Sequence, residues 1–166
     1  FKVADDMSWA SPSFNDNSWE SRLLGTSRQD TSGKRDLFVW YRIKVIVPSS
    51  LKKPGELGKG LRLNLGKIDD VDFTFFNGKL VGQTGSLPPE YISKFQADRV
   101  YNIPLDIVEW DKENVIAVRV FSPDPWVGMY EGPYKLGPLQ WSDSIAVEQS
   151  ITQTQNSSFG TTVKLR

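Results

Sequence analysis

The chain has 166 residues, enough for one ordinary domain with its own core and short for two. Lysine plus arginine and aspartate plus glutamate each number 20, so the formal charge is zero and nothing in the balance calls for nucleic acid or an anionic membrane surface. Cysteine and histidine are both absent, which removes Ser-His-Asp and Cys-His nucleophiles, thiolate metal sites and His-ligated zinc from the chain's own repertoire.

The opening stretch DDMSWASPSFNDNSWE (5–20) sets Trp9 and Trp19 on either side of a Pro- and Asn-rich loop. Paired tryptophans can form a sugar-stacking platform. They can equally act as a plug in which Trp9, Phe14 and Trp19 close one end of a sandwich while Asp16 and Ser18 make local turn bonds, and the absence of surrounding pocket signals favours the plug. Asp5 and Asp6 are carboxylates of the kind calcium takes. Next, LFVWYRIKVIV (37–47) puts Leu37, Val39, Tyr41, Ile43, Val45 and Val47 on one parity and reads as a long strand ended by Pro48. LRLNLG (61–66) alternates as a half-buried antiparallel strand does. VDFTFF and KLVGQT flank Asn77-Gly78, the dipeptide suited to a type I′ hairpin turn.

Further strands are expected at 99–105, 113–121, 144–150 and 161–165, with one short helical turn around Asp106 to Glu109. The segment PPEYISKF (88–95) is expected to cover a sheet edge, and SITQTQNSSFGTT (150–162) to be a surface loop or the start of a linker. Eight to ten short strands without a crossover helix predict an all-β fold, a two-sheet antiparallel β-sandwich. Residues 1–141 would form it, and residues 142–166 its final strands or a polar linker toward a missing domain. The chain opens at Phe1 without Met or an apolar leader and reads as a piece of a longer polypeptide; no apolar run approaches the roughly 18 residues of a membrane span.

Asp69, Asp70 and Asp72 invite a catalytic reading, because glycosidases work with two carboxyl groups across a sugar. The phenylalanines that follow argue instead for architecture: backbone hydrogen bonds at the strand entry, or pairing with a strand arginine such as Arg42 or Arg119. Calcium is the third option, with Asp69 and Asp70 as ligands beside the Asp5 and Asp6 pair. FSPDPWVGMYEGPYKLGP (121–138) is a stiff aromatic loop region carrying Trp126, Tyr130, Tyr134, Asp124 and Glu131. Rings beside carboxylates are what grips a neutral sugar. Packing against a neighbouring domain is the competing reading there. Glu90 and Tyr91 form a lesser candidate.

These motifs together resemble the sugar-binding-like β-sandwich of glycoside hydrolase family 2, the galactose-binding-domain-like jelly roll that is also inserted in bacterial sialate O-acetylesterases. The likeness runs from about Phe1 to Pro138. Its residues are Trp40, Tyr41 and Arg42; the block Gly66, Ile68, Asp69, Asp70, Asp72, Asn77, Gly78, Val81, Gly82 and Thr84; then Arg99, Tyr101, Ile103 and Pro104; and Asn114 to Val120. After Phe121 the chain departs from the family's glycine-rich continuation. The resemblance implies an accessory, non-catalytic module of a bacterial polysaccharide-degrading or deacetylating enzyme, placed in the periplasm, on the cell surface or outside the cell. The expected site is Trp126, Tyr130, Glu131 and Tyr91, with no catalytic residue and no cofactor beyond a structural calcium. Its expected partner is a neutral glycan or an adjacent catalytic domain. A purely structural scaffold and a small Asp/Glu-dependent glycosidase are the alternatives.

Overall fold

The computed structural model describes residues 1–26, 28–29, 31, 33–52, 60–139, 151–157 and 160–165. Two antiparallel sheets form the sandwich. The first runs β1 (Lys2–Val3), β3 (Leu37–Ile46), β8 (Glu113–Ser122), β5 (Val71–Phe76), β6 (Lys79–Thr84). In the second, β4 (Gly60–Asp69) pairs with β7 (Asp98–Pro104) on one side. On the other it pairs with β10 (Lys135–Pro138) and β9 (Trp126–Glu131) in succession, and β2 (Arg28–Gln29) closes the edge. The remaining two strands, β11 (Ile151–Ser157) and β12 (Gly160–Leu165), make a separate hairpin.

Alternation decides which side chains enter the core. β3 and β8 pair along ten residues, Leu37 opposite Ser122 through Ile46 opposite Glu113. The predicted parity of β3 points inward: Leu37, Val39 and Tyr41 are buried there with Ile116, Val118 and Val120 from β8 and Leu61, Leu63 and Leu65 from β4. Burying one such branched side chain is worth about 1.5–3 kcal/mol, and this shared face holds the sheets together. Asn77 and Gly78 both take positive φ, 46° and 80°, as the I′ turn requires.

The opposite parity of the first sheet is covered as well. Trp9, Phe14 and Trp19 pack over Trp40, Phe75 and Ala117, so the tryptophan plug lies on the outer face of the sheet rather than at its end. Arg42 holds it there: the guanidinium donates to Asp16 (2.9 Å) and to the carbonyls of Trp9, Ser11 and Phe14. Asp16 also pairs with Lys44 at 3.0 Å, so its role is long-range, where a local turn bond was expected. Arg119 lies over the Phe38 ring and donates to Asp5, which also accepts from Trp40 Nε1. Neither Arg42 nor Arg119 serves the 69–72 carboxylates.

Three short 3-10 turns, Met7–Ala10, Ser49–Leu51 and Leu105–Ile107, are the helical elements of the described residues. The expected turn at 106–109 sits slightly earlier than read. The stretch expected to be loop or linker contains β11, because it finds a partner in β12. The strand expected at 144–150 lies outside the described residues.

Candidate functional site

The three aspartates of the β4–β5 connection have three fates. Asp72 points between the sheets and is fully buried, where it pairs with the equally buried Arg99 at 2.9 Å. It also accepts from Thr74 (2.8 Å) and from the Tyr101 hydroxyl. Burial pushes its carboxyl up from the usual value, while Thr74, Arg99 and Tyr101 pull the other way. Such a group is structural; no substrate reaches it, and the glycosidase pair Asp70 and Asp72 is not formed.

Asp70 turns the other way, into a cleft. It is 5% exposed and accepts from the hydroxyls of Ser93 (2.5 Å) and Ser122 (3.1 Å). Asp69 lies beside it at the same cleft. Burial, then the neighbouring Asp70 and Asp124 carboxylates, push the Asp69 carboxyl up to about 7. An acid raised by folding costs stability when it ionises. That cost is absent below the ordinary value of 3.8, grows as pH rises and is complete above about 7. Urea unfolding at about pH 5 and pH 8 should therefore show the wild type losing stability relative to Asp69→Asn as pH rises. Equal pH dependence in both proteins would contradict the assignment.

The cleft, about 540 Å³, has the Asp69 and Asp70 connection on one side. A second wall is the loop between β6 and β7, carrying Tyr91, Ser93 and Phe95. A third comes from Pro123, Asp124 and Pro125 with Trp126 at the start of β9. Tyr91 sets its ring edge-on to Phe121 at 6.0 Å between centroids, and burial lifts its hydroxyl to about 12, leaving a neutral donor. Trp126 is 47% exposed and Phe95 45%, which is unusual for rings so large.

Arg99 fixes the cleft from behind. Beyond Asp72, its guanidinium donates to the Asp70 carbonyl (2.6 Å) and to those of Lys94 (2.5 Å) and Ala97 (2.6 Å). One buried cation thus ties the acidic wall and the loop wall to the core.

Of the site residues expected from sequence, Trp126 and Tyr91 line this cleft together. Tyr130 stands behind it, donating to the Phe95 carbonyl at 2.7 Å. Glu131 pairs with Lys67 away from the cleft. Of the calcium candidates, Asp5 is engaged by Arg119 and Trp40, and Asp6 caps the Met7–Ala10 turn through Ser8 N. Among the described residues no three carboxylate side chains are grouped to hold a metal ion. Phe95 and Ser93 were not singled out in the sequence, and Arg99 only as a residue of the resemblance; PPEYISKF contains the first two, and only the fold brings that loop against residues 123–126. A second hollow of about 440 Å³ lies by Trp19 and Tyr41, but its Arg22, Arg42 and Lys44 already pair with Glu20 and Asp16.

No family model matches the chain, and no curated protein matches it in sequence. Solved structures do match in fold. A β-glucuronidase from Bacteroides uniformis superposes with a TM-score of 0.62 at 20% identity, over 77% of this chain and 15% of its own. The B. uniformis β-glucuronidase 2 bound covalently to cyclophellitol-6-carboxylate aziridine gives 0.57 at 21% identity, over 81% and 15%. A β-glucuronidase from glycoside hydrolase family 2 gives 0.51 at 18%, over 71% and 12%. The chain therefore spans about 15% of the length of the B. uniformis enzymes whose fold it shares.

Proposed function

We propose that this chain is a non-catalytic β-sandwich module of a larger carbohydrate-active enzyme, bacterial and exported, and that its cleft receives part of a glycan. The observation that carries the reading is the meeting of an exposed Trp126 with Tyr91, Phe95 and the Asp69, Asp70 and Asp124 carboxylates around one opening. Rings pack against the apolar face of a pyranose, and carboxylates accept from its hydroxyls. The neutral Tyr91 hydroxyl, hydrogen-bonded with Asp70 and Ser93, completes the polar wall. A fold shared with glycoside hydrolase family 2 β-glucuronidases supports the setting. The site is open on one side, so affinity for a short oligosaccharide should be modest, in the range of about 0.1–1 mM.

Trp126 provides the test. Because only about half of its ring is buried, Trp126→Ala should cost about 1–2 kcal/mol of stability and leave the module folded. It should abolish glycan-induced NMR shifts at residues 91–95 and 123–126. Unchanged shifts in the variant, or none in the wild type across a broad neutral panel, would defeat the proposal.

The exposure of Ile92 and Phe95 beside Trp126 favours a second reading, in which an adjacent catalytic domain covers this rim. Dye binding and self-association of the excised module, both relieved by Trp126→Ala, would favour it.

A further inference from the structure

We propose that the cleft prefers a saccharide unit bearing an ammonium group and turns away one bearing a carboxylate. The inference rests on the glycan reading above and gives it a charge class. Asp69 and Asp70 stand on one side of the cavity and Asp124 on another, and none of the described residues lining it is Lys or Arg. The nearby arginines leave the cleft with little positive charge. Arg99 is fully buried and spends its guanidinium on Asp72 and three carbonyls. Arg35 meets Asp124 at 3.8 Å, but both side chains are largely exposed and solvent screens the pair.

The aromatic walls act in the same sense as the carboxylates. Trp126, Phe95 and Tyr91 line the same cavity, and the face of an aromatic ring attracts an alkylammonium as well as an apolar sugar face. A uronate would add a further carboxylate to this set with no counterion to meet it. A bare metal ion is a poorer fit, because no three carboxylates are grouped as chelators among the described residues.

The state of Asp69 agrees with this. The charged and titratable groups acting on it are Asp70 beside it, Asp124 from the β8–β9 connection, Arg99 from β7 and Tyr130 from β9. Burial first, then the neighbouring carboxylates, favour a proton on the carboxyl, and an arriving ammonium would displace it. Binding near neutral pH should therefore release protons.

Calorimetry on the whole chain decides the matter with three β-1,4-linked disaccharides: a glucosamine, a glucose and a glucuronate form. At about pH 6, where a sugar amine carries its proton, the glucosamine form should bind about tenfold tighter than the glucose form, and the glucuronate form weakest. Asp124→Asn and Asp69→Asn should each narrow the first gap severalfold while Trp126→Ala weakens all three. Titrations near pH 7 in buffers of different ionisation enthalpy should reveal protons leaving on glucosamine binding. Equal affinity for the amine and neutral forms, or tighter glucuronate binding, overturns the proposal while Trp126-dependent binding of glucose leaves the glycan reading intact. Binding of none of the three overturns both. Saturable binding of calcium chloride alone that Asp69→Asn removes would replace the ammonium with a metal and overturn it too.

Discussion

Replacing Arg99 with Met should cost about 3–5 kcal/mol of stability, because it strands the Asp72 carboxylate in the core without its cation. The guanidinium is fully buried, and four acceptors depend on it: the Asp72 carboxylate and the carbonyls of Asp70, Lys94 and Ala97. A fall in the urea midpoint at unchanged slope would register the loss. Adding Asp72→Leu should recover part of it, since an apolar pair of similar volume avoids desolvating two charges. Recovery should be incomplete, because the carbonyls of Asp70, Lys94 and Ala97 still lose their donor. Hydrogen exchange should separate the two effects: in the double variant amides of residues 92–97 remain fast while the core strands regain protection. An unfolding free energy within about 1 kcal/mol of wild type in Arg99→Met would show that the pair is not what anchors the loop.

Gly66→Ala should be the next most damaging single change. Gly66 sits at the irregular pairing between β4 and β7 with φ of 60°, and an added Cβ would run into the Glu131 carbonyl oxygen and the Gly132 backbone. Backbone atoms of β9 cannot swing aside as a flexible side chain would. The left-handed conformation costs about 1–2 kcal/mol for a residue with a Cβ, and overpacking adds about 1–3. The melting temperature should fall by roughly 10 °C. Gly33→Ala is the matched control: its φ is 74°, yet nothing lies within 4 Å of the added carbon, so only the backbone cost should appear. Similar losses at both positions would mean that strand crowding at Gly66 contributes nothing.

Much of the sandwich is legible in the sequence because period-2 alternation is a local signal. β3 announces its core face residue by residue, and Asn77-Gly78 announces its turn. The site is less legible, for a reason visible in Asp69, Asp70 and Asp72. Adjacent Asp69 and Asp70 line one cleft while Asp72, two residues on, is a buried anchor, because the break between β4 and β5 at residue 70 interrupts the alternation that a reading by parity relies on. Arg42 and Arg119 looked like the partners because they stand in apolar strands, yet the loop at 5–19 returns to claim both. Arg99, near the start of β7 with Asp98 before it, carries no local mark of burial. Trp126 and Tyr91 stood out as rings in proline-rich loops; their meeting depends on pairing between β5 and β8, which sequence spacing does not reveal. Ile151–Ser157 defeated the reading in the other direction, since a polar Thr- and Gln-rich run can still pair when a partner strand lies next to it.

The central pairing of β3 with β8 also constrains how the chain is made. Leu37 waits for Ser122 and Ile46 for Glu113, and β5 in turn pairs with the other edge of β8. During synthesis the first half of the domain therefore emerges with its apolar strand face unpartnered, and folding as a unit must wait until β8 has left the ribosome. The hydrophobic β3 stretch is the segment most in need of shielding in that interval, and slow synthesis between β3 and β8 would lengthen its exposure to aggregation.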